Sequence, residues 1–302
     1  MLKIAFHPIY KHPLPKGHRF PMEKYDLLPK QLLYEGTCEP ENFFQPEIIE
    51  ENEKYIRSVH SYEYLKDLYA INIEPRKARK IGFPLSAKLV ERERIIANGS
   101  IRACQYALEY GVAMNIAGGT HHAYSDHGEA FCMLNDQAIG AQYLLQNKLA
   151  KQILVVDLDV HQGNGTAEIF QNDKRVFTFS MHGKNNYPFK KEKSDLDLAM
   201  ENDCGDDEFL SALRSTLPKL IQQVKPDFIF FLSGVDILYT DKLGKLGCTV
   251  AGCKQRDEFV FEQCLKFDIP VEVSMGGGYS KDLKIIIDAH ANTYRTALQM
   301  YF

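Results

Sequence analysis

Residues Ile153 to Thr166 read I-L-V-V-D-L-D-V-H-Q-G-N-G-T, and this stretch limits the fold more than any other. Its opening run is apolar without alternation, the pattern of a strand covered on both faces, as in a parallel sheet flanked by helices. Asp157, Asp159 and His161 follow at spacing i, i+2, i+4. In extended backbone, side chains two apart share a face, so the three polar groups are expected to converge. Gly163 and Gly165 then break the strand and allow a tight turn. Two carboxylates buried beside an imidazole need a cation or strong hydrogen bonds to offset their desolvation. The plainer reading is a turn that caps the next helix, but a cap seldom uses three such groups. Carboxylate plus imidazole suits Zn²⁺, with two ligands here, a third elsewhere and one position left open for water.

The remainder of the chain alternates in the same sense. Strands are predicted over residues 3–6, 111–117, 153–159, 176–181, 227–233 and 271–275. Helices are predicted over 22–34, 48–70, 86–110, 136–146, 166–170, 206–223, 255–267 and 283–299. Such alternation calls for a mainly parallel sheet in a three-layer α/β/α arrangement. Ligands bind beyond the carboxyl ends of the strands in sheets of this kind. Unusual polar residues do follow four of the predicted strands: G-G-T-H-H-A, D-L-D-V-H, S-G-V-D and G-G-G-Y.

These loops supply the remaining chemistry. Asp236, after the strand at 227–233, completes an Asp159–His161–Asp236 set, although alone it reads equally as a turn cap. Adjacent histidines diverge, so His121 and His122 are better suited to flank a metal from the substrate side and move protons than to ligate it. Asp157 is placed to orient one imidazole. Tyr279, after Gly276, Gly277 and Gly278, can direct a phenol at a developing oxyanion; packing after a glycine turn is the alternative.

Bulk properties narrow the partners. A net charge of −4 gives no electrostatic reason to expect nucleic-acid binding. No apolar run approaches the ~20 residues needed to span a bilayer, and the N-terminus lacks a signal-peptide core. The seven cysteines are scattered without a C-x-x-C pair, which argues against a zinc ribbon and for a reducing, cytoplasmic setting. No repeat or flexible linker divides residues 1–302, so one domain is expected.

Taken in order, G-G-T-H-H-A, E-A-F-C-M-L-N-D, D-L-D-V-H-Q-G-N-G, S-G-V-D and M-G-G-G-Y resemble the motif set of the zinc-dependent histone deacetylase family. H-R-F-P-M-E-K-Y, I-G-F-P-L-S and D-K-L-G-K-L resemble its class IV branch and bacterial relatives. A nuclear setting is open beside the cytoplasmic one if the source is eukaryotic. The resemblance covers nearly the whole chain and implies an arginase/deacetylase fold acting as one catalytic domain. It implies Zn²⁺, or Fe²⁺, on Asp159, His161 and Asp236, with His122 as general base, His121 assisting electrostatically, Asp157 paired with His121, and Tyr279 stabilising the transition state. It further implies K⁺ beside the metal, held by Asp157, Asp159, His161 and carbonyls of Ser180 and Met181. Phe131, with Ala130 and Gly277, matches the wall of an acyl-lysine tunnel. The implied reaction removes acetyl or longer acyl groups from lysine Nε in proteins or peptides. Acetylpolyamines or other small acylated amines are the alternative substrates, with Glu129 a candidate acid at the tunnel mouth; a non-catalytic acyl-lysine binder is the remaining one. Two departures stand out. Asn164 stands where many relatives carry an aspartate, although class IV members share the asparagine, and it should leave His122 less basic. Ala130 stands where a glycine is common, which should reshape the tunnel.

Overall fold

The computed structural model describes residues 1–302. In chain order the elements are β1 (Lys3–Ala5), α1 (Lys24–Tyr34), β2 (Phe43–Phe44), α2 (Glu53–Val59), α3 (Tyr62–Tyr69), α4 (Pro75–Ile81), α5 (Ala87–Tyr110) and β3 (Val112–Asn115). There follow α6 (Asp136–Gln146), β4 (Ile153–Asp157), α7 (Asn164–Phe170), β5 (Val176–Gly183), β6 (Leu196–Met200), α8 (Asp206–Val224), β7 (Phe228–Leu232), α9 (Val250–Lys266), β8 (Val271–Ser274) and α10 (Leu283–Tyr301).

The strands form one eight-stranded sheet in the order β2-β1-β3-β8-β7-β4-β5-β6, and every pairing is parallel. β3, β4, β7 and β8 are buried along their whole length, as strands of a doubly covered sheet should be; β4 and β7 are near-continuous apolar runs, whereas β8 buries Glu272. Those four strands are neighbours, and their last residues share one level: Asn115 pairs with Ser274, Ser274 with Leu232, and Leu232 with Asp157. The four polar loops therefore leave the middle of the sheet side by side.

Local chemistry explains where the elements stop. Ser86 caps α5 by accepting from Leu89 N, and Gly111 ends it at φ 85°, a left-handed conformation open to glycine. The single helix expected over 48–70 is instead split into α2 and α3. Ser61 caps α3 there, while His60 turns inward, Nδ1 on the Tyr124 carbonyl and Nε2 accepting from Asn135 N. α9 begins at Val250, earlier than expected, because Thr249 caps it and donates to Asp206. The strand expected over 153–159 ends at Asp157. β2, β6 and α4 are additions: β2 (F-F) and β6 (L-D-L-A-M) are short, mostly half-exposed edge strands, and α4 is the polar run P-R-K-A-R-K-I.

Candidate active site

Because β4 ends at Asp157, extended backbone does not bring Asp159 and His161 onto its face, and the convergence arises differently. Asp157 Oδ1 accepts from Asp159 N at 3.1 Å, and Asp159 Oδ1 accepts from His161 N at 2.9 Å. Two successive side-chain-to-backbone turns thus curl the loop so that these side chains gather. Asp236, on the loop after β7, joins them because its Oδ1 accepts from Val160 N at 2.9 Å. Ligand-capable atoms of Asp159, His161 and Asp236 all lie within 4.8 Å of one another, and all three residues are buried. His161 Nδ1 faces both carboxylates, 3.0 Å from Asp159 Oδ1 and 3.2 Å from Asp236 Oδ2.

This donor set fits a divalent cation. Asp236 Oδ2 is buried without a well-directed hydrogen bond, although His161 Nδ1 is close. Burial and the neighbouring Asp159 carboxylate push the Asp236 carboxyl up to about 7. Against burial, hydrogen bonds to Asp159 and Asp236 raise His161 to about 10. Two carboxylates crowded around one imidazole in a dry site form an anionic cradle. Glycines shape it: a Cβ at Gly277 would meet Asp236 Oδ2 at 2.0 Å, and one at Gly234 would meet Asp159 Oδ2 at 2.4 Å. Gly277, expected along the tunnel, lies directly against the carboxylates.

The loop after β3 carries the histidine pair. Its Gly118 and Gly119 adopt φ of 85° and 71°, and a Cβ on Gly118 would collide with Asp136 Oδ2 at 2.3 Å. Asp136 anchors this loop to α6, accepting from Thr120 N at 2.9 Å, Ser100 Oγ at 2.7 Å and Ser274 Oγ at 3.1 Å. The two imidazoles, 4.1 Å apart by ring centroids, have different partners. His121 Nδ1 meets Asp157 Oδ2 at 2.7 Å, while His122 Nδ1 meets Asn164 Oδ1 at 2.6 Å. The Asn164 amide nitrogen donates to the Tyr124 hydroxyl, which leaves its oxygen facing the ring, so Nδ1 of His122 carries hydrogen and Nε2 keeps its lone pair. Burial opposes the charged form of both rings. Asp157 overcomes it at His121, whose pKa is raised. At His122 burial and the neighbouring His121 and His161 drive the pKa well below the ordinary value. One ring is thus held toward the cation and the other toward the free base.

Tyr279 sits on the loop after β8, its N–H donating to Asp241 Oδ2 at 2.6 Å and its ring 6.2 Å from that of His161. Burial, then Asp236 and Asp159, raise the phenol far above its usual pKa, so it is a neutral hydrogen-bond donor. Phe131 packs 6.3 Å from Tyr279. It is presented by a strained turn: Ala130 and Phe131 adopt φ of 45° and 70°, with their N–H groups on the carbonyls of Lys80 and Ile81. Ala130 thus occupies a backbone conformation that glycine accepts more easily. Ser180 lies opposite Asp157 across the β4–β5 register, with Met181 next along β5. Glu129 contacts His127 Nε2 at 3.3 Å instead of reaching the mouth.

Sequence reasoning missed several contributors. Phe20 and Phe83 complete the aromatic wall, with ring centroids 5.1 Å and 5.0 Å from Phe131, and each begins a Phe-Pro pair that could have flagged it. Tyr187 stands edge-on to His122 at 5.1 Å. Lys24 is fully buried on α1 and donates from Nζ to the Gly276 carbonyl at 2.9 Å. The N–H of the same peptide group, Gly277 N, donates to Asp159 Oδ2 at 2.9 Å. One peptide therefore links a buried ammonium to a carboxylate of the cradle. Burial lowers Lys24 to about 8, with Asp236 and Asp159 opposing the fall. The available signal was its place at i, i+4, i+8 with Leu28 and Leu32, a lysine set in an apolar stripe.

Comparison with known proteins agrees with this arrangement. The model of the histone deacetylase domain matches residues 18–294. An uncharacterized protein of Picosynechococcus is 43% identical over 99% of both chains. A probable deacetylase of Archaeoglobus fulgidus is 30% identical over 82% of this chain and 73% of its own. Histone deacetylase 2 of Arabidopsis thaliana is 28% identical over 94% and 75%. The crystal structure of an HDAC homologue from Aquifex aeolicus superposes with a TM-score of 0.83 at 23% identity, covering 97% of this chain and 82% of that one, and so shares the fold. The chain belongs to the histone deacetylase family and is a hydrolase of that family, built on the arginase/deacetylase-like α/β fold.

Proposed function

We propose that residues 1–302 form one catalytic domain that hydrolyses the amide of Nε-acyl-lysine in a protein or peptide. One observation carries this reading: the Asp159–His161–Asp236 cradle, the unequal His121–His122 pair and the Tyr279 phenol all meet at the base of one aromatic-walled pocket. Zn²⁺ held by the cradle, or Fe²⁺ on the same donors, would supply Lewis acidity that polarises the acyl carbonyl and acidifies water.

The side chains divide the remaining work. His122, neutral and with Nε2 free, takes a proton from the attacking water as the oxygen bonds to the acyl carbon. Tyr279 donates its phenolic hydrogen to the carbonyl oxygen as negative charge develops there. The C–N bond then breaks, the histidine pair returns a proton to the departing amine, and a carboxylate and a free lysine are left. His121, held toward the cation by Asp157, stabilises the charge gathered in the transition state. The Phe20, Phe83 and Phe131 rings enclose the apolar stem of the acyl-lysine and exclude water. A K⁺ ion held by Asp157, Asp159, His161 and the carbonyls of Ser180 and Met181 belongs to the same reading, supported by the adjacency of Asp157 and Ser180. Asn164, in place of an aspartate, supports kinship with the class IV branch. All seven cysteines are free thiols, which supports a reducing, cytoplasmic setting. No helix is long and apolar enough to cross a membrane.

The test is turnover of acetyl- to myristoyl-lysine peptides, with monoacetylated polyamines alongside. Release of free lysine peptide that disappears in His122→Ala is the expected result. Turnover of the polyamines alone would replace this reading with the small-amine alternative, and equal turnover by His122→Ala would refute the assignment of the base.

A further inference from the structure

The mouth of the pocket is a cavity of about 300 Å³ whose wall includes Arg19, Lys80 and Lys245 and contains no aspartate or glutamate. All three cations are exposed, and none has a carboxylate within salt-bridge distance. This runs against the chain as a whole, in which 40 acidic residues outnumber 36 basic ones. The cations come from separate segments, before α1, at the end of α4 and after β7, so no single basic stretch explains them. Arg19 is held in place, its guanidinium 5.0 Å over the Phe131 ring. The loop between β5 and β6 adds Phe189, 90% exposed beside the mouth, and is braced from within by Lys191 Nζ, which donates to the Asn186 and Pro188 carbonyls at 2.7 and 2.6 Å.

We infer that the rim selects an acyl-lysine lying in an acidic peptide segment. Resting on the acyl-lysine reading above, the inference narrows its substrate class. Three unpaired cations around an opening repel a polycationic amine and attract flanking carboxylates. An exposed aromatic at the mouth offers cover to a chain that extends across the rim, which a small amine does not do. The carboxylates sought by the rim must flank the lysine, because the acyl group occupies the base of the pocket and only neighbouring parts of the peptide reach Arg19, Lys80 and Lys245 at the mouth.

The experiment compares matched acetyl-lysine peptides whose flanking positions carry glutamate, glutamine or lysine, with a monoacetylated polyamine as a further arm. Each exposed ion pair contributes a small factor, so kcat/KM should fall about tenfold from the acidic to the basic peptide, mostly through KM. The difference should shrink between about 0.05 M and 0.5 M salt as screening shortens the reach of the rim. The triple variant Arg19→Glu, Lys80→Glu, Lys245→Glu should reverse the order, and the single glutamine substitutions should each weaken it. Equal or better use of the basic peptide, or an order unchanged in the triple variant, overturns the inference while leaving lysine deacylation intact. If no acylated amine is turned over, the deacylase reading fails. Fluorescence anisotropy of the same labelled peptides then still decides the rim: tighter binding of the acidic peptide supports it, and equal binding overturns it.

Discussion

His122 and Asn164 set the pH behaviour of the proposed chemistry. A carboxylate at position 164 would stabilise the imidazolium, whereas the amide leaves burial and the neighbouring imidazoles to hold the pKa of His122 well below its usual value. The base acts when neutral, and a pKa below the ordinary value keeps it neutral as pH falls. Asn164→Asp should raise that pKa and move the acid limb of kcat/KM to higher pH; an unmoved limb would show that another group sets it. Tyr279→Phe removes the oxyanion donor without touching the cradle, and should lower kcat by roughly 10²–10³ while metal content stays constant. Full activity in that variant would remove the phenol from the mechanism. Ala130 tests strain in place of chemistry. Its φ of 45° is unfavourable for a residue with a Cβ, and Ala130→Gly should raise the unfolding free energy by about 0.5–1 kcal/mol in urea melts. A loss of stability would mean that the alanine methyl packs productively.

At the scale of elements, the site depends on loops held by distant partners. α1 supplies Lys24, whose ammonium satisfies Gly276 O and so orients the Gly277 N–H toward Asp159. Lys24→Met fills similar space but leaves that carbonyl unpaired in a buried position. The expected outcome is a loss of about 1–3 kcal/mol in stability, together with weaker Zn²⁺ binding by competition with a chromophoric chelator. Unchanged metal affinity would confine Lys24 to a packing role. The same contact marks the limit of sequence reading. Asp157, Asp159 and His161 were legible because they fall within five residues at the end of β4, even though successive side-chain turns gather them where strand pleat was expected to. Asp236, the His121–His122 pair and Tyr279 were legible because each follows an apolar strand. Lys24 lies 252 residues from its partner, and Phe20, Phe83 and Tyr187 reach the pocket from loops without periodicity. The split between α2 and α3 was hidden too, since His60 faces inward for the sake of Tyr124 and Asn135, a tertiary reason that local pattern does not carry.

At the scale of the molecule, the sheet order explains why one loop set forms one site. β3, β8, β7 and β4 are adjacent although far apart in sequence, and their shared register delivers all four loops to the same level. The base of the pocket holds the Asp159–His161–Asp236 donor set, and its mouth carries the cations Arg19, Lys80 and Lys245. The central claim joins both ends: a divalent cation on Asp159, His161 and Asp236 is needed to hydrolyse acyl-lysine. The most direct measurement is turnover of an acetyl-lysine peptide by protein stripped with a chelator, before and after Zn²⁺ is restored, with Asp236→Ala in parallel. Activity that is lost on stripping, regained with Zn²⁺ and absent from Asp236→Ala, which should also bind no metal, is the result predicted. Undiminished turnover by the metal-free protein, or by Asp236→Ala, would contradict the account.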